Sequence, residues 1–262
     1  MATKVFGIVG DPIDQVRSPM IFNSLFRERV VDAVMVPLHI RPSDFSQSLG
    51  ALLLIENVAG LIITVPHKVQ AASCLSGGLA SSRVAVAGAA NALRRTVGGW
   101  EGDLFDGEGF AKGMEAAGYA IKGKNCAIVG CGGAGSAIAL ALLDREIAQL
   151  SIWDTQRSRS EVLAARIRTL HRTQVEIREP KKGDDIVVNA TPLGMAPTDP
   201  QPFSVDELQS DVLVAEVIMK PVRTKLLIRA AELGFKTLEG RHMLDHQVEA
   251  IWDFFRLPRL GG

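Results

Sequence analysis

The segment NCAIVGCGGAGSAIALALL, residues 125 to 143, constrains the fold more than any other stretch of the chain. An apolar run, a glycine-rich turn and a longer apolar stretch follow without a break, the order of a buried strand, a tight turn and a helix. Gly130, Gly132 and Gly135 fall on the GxGxxG spacing, with Gly133 and Ala134 between the last two. The first glycine permits the turn, the second lets backbone approach a pyrophosphate, and the third allows close helix–strand packing. The helix N-terminus then offers free N–H groups and the positive end of its dipole to phosphate. A second apolar run at 150–153 ends in Asp154. A carboxylate there accepts hydrogen bonds from both ribose hydroxyls of NAD and repels the 2′-phosphate of NADP. Arg157 and Arg159 pull the other way, either as phosphate partners or as ordinary solvated helix residues, so NAD is favoured and NADP stays open.

Elsewhere short apolar runs alternate with helical patterns. Strands are expected at 4–9, 33–39, 60–64, 125–129, 150–153, 174–177, 185–189 and 212–217. Helices are expected at 20–28, 109–117, 135–144, 160–170 and 223–233. This alternation predicts an α/β fold with mostly parallel sheets and helices on their faces. Residues 1–105 contain three of the strands and loops dense in Gly, Pro and Ser, and read as a first α/β domain. A helix and the polar link Lys122-Gly123-Lys124 lead into a Rossmann-type domain over 106–239. Segment 240–262 carries a last helix, about 243–255, with Leu244, Val248, Ile251, Trp252 and Phe255 at helical spacing. Its apolar face needs a partner, and the first domain supplies one if the chain crosses back.

The 262 residues suffice for a sizeable core, and 29 basic against 29 acidic side chains give a formal charge of zero. That balance removes the electrostatic reason to expect nucleic acid or an anionic membrane as partner. No apolar run approaches the ~20 residues of a membrane span. Cys74, Cys126 and Cys131 show no CxxC or Cys/His ligand spacing, so neither a metal site nor a disulfide framework is expected. The N-terminal residues reach Gly10 before a signal-peptide h-region forms, and the expectation is a cytoplasmic protein, monomer or homodimer.

Three stretches of the first half bring polar groups to the ends of apolar runs. LIITVPHK (61–68) leads to Thr64, His67 and Lys68, GAANAL (88–93) carries Asn91, and EGDLFDGEGF (101–110) carries Asp103 and Asp106. Ligands of open α/β sheets collect at the carboxyl ends of strands. A lysine and an aspartate meeting there could form an acid/base pair; taken singly, Lys68 also reads as a surface residue and Asp106 as a turn former.

The set GDPI…SP, TVPHK, GAAN, GD-x-x-DG, VGCGGAG, NATPLGM and GRHMLDHQ resembles the shikimate dehydrogenase family, in the family's order and over nearly the whole chain. The resemblance implies an N-terminal substrate-binding domain, a Rossmann-type NAD(P) domain and a C-terminal helix returning to the first. It implies oxidation of a ring alcohol to a ketone in a small cyclic hydroxy acid. Lys68 resembles the family's catalytic lysine and Asp106 its paired aspartate. Ser18, Thr64, Asn91 and Gln247 match substrate-binding positions, and Gly130, Gly132, Gly133, Ala134 and Gly135 match the pyrophosphate loop. Thr191 and Gly240 fall where the family approaches its cofactor.

Five positions depart from the pattern. Val16 stands where the family has the first of two carboxylate-binding serines, and Met219 where it has a tyrosine reaching the same carboxylate. Leu104 and Phe105 replace a polar Asn-Thr pair, and Asp154 departs from the Asn-Arg-Thr run of NADP-using members. Ser18 is expected at a helix N-cap with Pro19 following at N1. These departures suggest a divergent member, slow on shikimate or acting on quinate, an amino-shikimate or another ring; the alternative is a slightly shifted loop that still binds shikimate. A non-catalytic nucleotide or metabolite sensor is the competing class.

Overall fold

The computed structural model describes residues 3–75, 80–170, 174–209 and 211–258. Two compact units are present: residues 1–105 with 249–262, and residues 106–248. The expected α/β class holds in both.

The first unit is built on a five-stranded sheet of order β2-β1-β3-β4-β5. Its strands are β1 (Lys4–Gly10), β2 (Ala33–His39), β3 (Val58–Ile63), β4 (Ala92–Thr96) and β5 (Gly99–Asp103). β1 pairs in parallel with β2 and β3, whereas β3–β4 and β4–β5 are antiparallel. The β4–β5 hairpin corrects the three-strand expectation for this half. Its sequence looks polar because Arg94, Arg95 and Glu101 lie in it, but their charged groups find protein partners. The Arg95 guanidinium donates to the carbonyls of Val58, Leu53 and Ile55 at 2.6–2.8 Å, closing the C-terminal end of helix α2 (Phe45–Leu54), and stacks on Trp100. Arg94 pairs with Glu101.

Helices α1 (Ser18–Glu28), α3 (Lys68–Ser73) and α4 (Ser82–Ala87) complete this unit with the end of α9 (Arg241–Phe254). Trp252 and Phe255 meet Phe6, Phe22 and Phe26 at centroid separations of 4.9–6.3 Å, and the Arg29 guanidinium caps the Trp252 ring at 4.3 Å. That cluster is the partner surface that the apolar stripe of the last helix required. The last four residues of segment 240–262 lie outside the described residues.

The second unit has six parallel strands in the order β11-β10-β9-β6-β7-β8. They are β6 (Asn125–Val129), β7 (Gln149–Trp153), β8 (Val175–Ile177), β9 (Ile186–Asn189), β10 (Leu213–Glu216) and β11 (Lys236–Leu238). Helices α5 (Asp106–Ala116), α6 (Gly133–Leu143), α7 (Arg157–Leu170) and α8 (Lys225–Glu232) connect and cover them. The strand order reverses between β6 and β9, the Rossmann-type switch point. β6, β9 and β10 are almost wholly buried, as strands covered on both faces must be. Among the described residues no helix is long and apolar enough to cross a membrane.

The aromatic cluster yields a stability prediction. Trp252 is fully buried, and Trp252→Ala should lower unfolding free energy by about 3–5 kcal/mol, read as a drop in the urea midpoint of the first unit.

Candidate functional site

In the first unit the site residues gather where β1, β3 and β4 meet the loops beside them. Loop 11–17 is held to the end of β3 by Asp11 N–H donating to the Val65 carbonyl at 3.0 Å. Within it, Val16 N–H donates to Ile13 O at 3.2 Å, and Gln15 donates to Pro12 O at 2.8 Å. Val16 is half-buried. The helix start differs from expectation: Arg17 occupies the N-cap without a side-chain capping bond, Ser18 is the first helical residue, and Pro19 is second. A proline fits anywhere in a first turn because its missing N–H has no helical partner to lose.

Thr64 follows β3, and its methyl packs on Gly10 so closely that a Cβ there would fall 2.5 Å from it. His67 comes next, fully buried, stacked on Phe45 at 4.4 Å with its Nε2 2.7 Å from the Ile40 carbonyl oxygen. With Nε2 donating, the imidazole is anchored and the chain enters α3 at Lys68, which is half-buried. Ala90 N–H donates to the Lys68 carbonyl at 2.9 Å, linking the lysine to the Asn91 segment.

Asn91 is buried and central: its carbonyl accepts from Ile63 N–H at 2.8 Å, and its Oδ1 accepts from Phe105 N–H at 2.9 Å. It therefore fixes the residue immediately before Asp106. Asp103, at the end of β5, accepts from Ser81, from Arg83 through two nitrogens and from Leu104 N–H. Leu104 and Phe105 are buried, with the Phe105 ring 5.3 Å from Phe254 and the Arg83 guanidinium over it. They are packing residues of the first unit rather than open lining, which explains why apolar side chains are tolerated there.

Asp106 opens the second unit. It is the first residue of α5, not a loop aspartate as the glycines around it suggested, and it is 2% exposed. A carboxylate in the first helical turn is stabilised by the unpaired N–H groups of that turn. Gln247, buried on α9, lies against the same turn of α5: a Cβ on Gly109 would come 2.7 Å from the Gln247 Cβ.

The glycine turn sits at the switch point. Gly130 has φ +102°, and a Cβ on it would lie 2.9 Å from Thr191 Cγ2 and from the Ala190 carbonyl carbon. A Cβ on Gly135 would lie 1.9 Å from Gly130 O, so no side chain fits between turn and helix. Gly132 is exposed at the N-cap of α6, where a Cβ would meet nothing within 4 Å, and Gly133 and Ala134 are half-buried behind it. Open space before a helix N-terminus, floored by backbone, fits a pyrophosphate.

Asp154 follows β7 and braces this turn: Oδ2 accepts from Cys131 N–H and Oδ1 from Gln156 N–H, both at 2.9 Å. Arg157 is exposed and paired with Glu161 at 3.0 Å. Burial pushes the Cys131 thiol up to about 11, so it stays protonated beside the turn.

Thr191 is set by Asn189, whose Oδ1 accepts from its N–H at 3.0 Å and its hydroxyl at 2.7 Å. Met219 is half-buried in the loop after β10, and Gly240 sits on that loop's backbone, where a Cβ would lie 2.4 Å from Ile218 O. Asn189 and Glu216 are two further polar residues that close otherwise apolar strands, and that position is their signal in the sequence.

Residues 8–93 match the family model described as the shikimate dehydrogenase substrate binding domain. The chain is 31% identical to the NADP(+)-type shikimate dehydrogenase of Symbiobacterium thermophilum, over 96% of this chain and 88% of that one. Among solved structures, the quinate dehydrogenase of Corynebacterium glutamicum in complex with NAD is 30% identical with a TM-score of 0.83, covering 97% of this chain and 94% of that one. A Gluconobacter 5-ketofructose reductase is 26% identical with a TM-score of 0.82, covering 97% of this chain and 92% of that one. The glycine turn at the switch point, the TVPHK turn and this end-to-end similarity together place the chain in the shikimate dehydrogenase family.

Proposed function

We propose that the protein is an NAD(P)-dependent oxidoreductase that interconverts a ring alcohol and a ketone, with Lys68 and Asp106 as its acid/base pair. The observation that carries this reading is the switch-point cradle, a glycine turn against Thr191 at the mouth of α6, in a chain aligning end to end with dehydrogenases of ring acids. The nicotinamide, when bound, accepts or returns the hydride. Lys68 takes the hydroxyl proton on its amine during oxidation, and its ammonium returns that proton to the developing alkoxide during reduction. Asp106, held in the first turn of α5, is the carboxylate of the pair and accepts from a neighbouring ring hydroxyl. Thr64, Asn91 and Gln247 supply neutral donors and acceptors suited to further hydroxyls.

The substrate grip is altered at the carboxylate. A hydrogen bond to a charged group contributes about 1.5–3 kcal/mol. Valine at 16 and methionine at 219 remove two, which weakens a shikimate-like carboxylate by about a hundredfold to ten-thousandfold where nothing replaces them. The internal bonds of loop 11–17 and its tie to Val65 oppose a shift that would bring in a substitute. Quinate carries the same carboxylate and loses the same grip, so the preferred substrate is a related ring held chiefly through its hydroxyls, with Ser18 as the remaining hydroxyl donor of that loop.

For the nucleotide, NAD is preferred over NADP. The Asp154 carboxylate stands at the ribose end of the cradle and repels a 2′-phosphate, and Arg157 is engaged with Glu161. Relatives of both kinds exist, as the Symbiobacterium and Corynebacterium proteins illustrate.

Two outcomes check this reading. Lys68→Ala should keep its nucleotide dissociation constant while turnover falls by about 10²–10⁴-fold, followed by reduced-nicotinamide absorbance; unchanged turnover removes Lys68 from the chemistry. In Asp154→Asn, the ratio of NADP to NAD dissociation constants should fall by about tenfold, measured by calorimetry. An unchanged ratio would remove Asp154 as the discriminating group.

A further inference from the structure

The second unit contains a buried acid that the proposed chemistry does not use. Glu216 closes β10 and is fully buried. Its Oε2 accepts from the Thr224 hydroxyl at 2.8 Å, and its Oε1 is buried without a hydrogen bond of regular geometry. Thr224 caps α8, so this bond closes loop 217–224 across its base. In the sheet, Glu216 is the register partner of Asn189, the residue that holds Thr191 through two hydrogen bonds and donates to Leu193 O at 3.0 Å.

The two loops also touch directly. Gly194, at φ +112°, faces Thr224 and Ile218 at 3.1–3.2 Å from where its Cβ would be, and Gly240 rests on Ile218 O. One carboxyl therefore stands at the base of the three loops that carry Thr191, Met219 and Gly240. The charged group that bears on it is Glu239, of the same sign, itself paired with Arg241 at 3.0 Å; Thr224 and Asn189 face it as neutral partners.

We propose that Glu216 is a positioning residue that holds the nucleotide-facing loops after β9 and β10 in register as a neutral, hydrogen-bonded carboxyl, and that its ionisation loosens them. The inference rests on the reading of those loops as the nucleotide site. Burial is the chief cause that pushes the carboxyl up, to about 7; the hydrogen bonds from Thr224 and Asn189 offset part of that rise, and Glu239 adds to it. A carboxyl raised on folding binds its proton more tightly in the folded chain than in the unfolded one. Its contribution to stability is therefore full below the ordinary carboxylate range, declines as pH rises toward about 7, and is gone above that.

Glu216→Gln keeps the neutral shape and removes the proton. It should bind NAD within about twofold of wild type near pH 6. Between about pH 6 and 8.5 the wild type should lose about threefold or more in NAD affinity, lose melting temperature, and exchange amide hydrogens faster in 190–195 and 217–224, while the Gln variant holds nearly level in all three. Glu216→Ala should bind NAD about tenfold more weakly at every pH, with fast exchange in both segments. The proposal is overturned if the Gln variant follows the wild-type pH dependence in melting and exchange, or if Glu216→Ala leaves exchange in both segments unchanged. Should Glu216→Ala fail to fold, the Gln comparison decides alone. If the wild type binds neither NAD nor NADP while the exchange pattern holds, the nucleotide reading fails and the coupling of the loops by Glu216 stands.

Discussion

The second unit depends on backbone approaching backbone where a side chain cannot go. At the switch point, turn 130–135 folds onto itself so tightly that a methyl group at Gly135 would overlap the Gly130 carbonyl. The same turn lies against Ala190 and Thr191 from the neighbouring strand. Everything built around this contact follows from it: the open N-terminus of α6, the Asp154 brace on Cys131, and the need to hold Thr191 still from behind. Asn189 does that holding, and the Glu216–Thr224 bond secures the next loop along. The arrangement places neutral or acidic groups behind the loops and leaves N–H donors at the front, where an anionic pyrophosphate is stabilised.

The first unit solves a different problem. It carries Lys68, Thr64 and Asn91 on or beside short loops, and short loops are held by little besides their own hydrogen bonds. Buried polar knots supply the rigidity. His67 anchors the turn before Lys68 by stacking on Phe45 and meeting the Ile40 carbonyl. Asn91 ties β3 to the residue before Asp106 through its main chain and its side chain. Each bond of this kind fixes the direction of its side chain inside the core, where water cannot compete for it.

The parallel strands were legible because they are buried on both faces and read as unbroken apolar runs, 125–129 and 185–189 above all. The β4–β5 hairpin was not, because Arg94, Arg95 and Glu101 look like solvent-facing residues until their carbonyl and carboxylate partners are seen. Helix α2 was hidden by a sequence, FSQSLGALLL, with a glycine inside and little polar periodicity. Asp106 and the glycines after it resemble a turn, which hides the start of α5. For the site, motif spacing located the glycine turn and the TVPHK segment in the chain. Tertiary packing alone could reveal that Leu104 and Phe105 are core residues, or that a glutamate at a strand end is sealed from water. A single sequence records residue types at positions; it does not record which polar groups share one buried volume.

In the proposed reaction this chain moves a hydride between a ring carbinol and a nicotinamide, with a weakened grip on the substrate carboxylate. The most direct test is a turnover panel pairing NAD and NADP with quinate and shikimate, followed by reduced-nicotinamide absorbance. The account predicts that NAD supports turnover and that Val16→Ser combined with Met219→Tyr lowers the KM for either acid by about a hundredfold or more. A KM for shikimate and quinate that the double variant leaves unchanged would mean that Val16 and Met219 are compensated and the altered-pocket account is wrong. No reduction with either acid, while NAD binds, would contradict the assignment of this pocket to ring hydroxy acids.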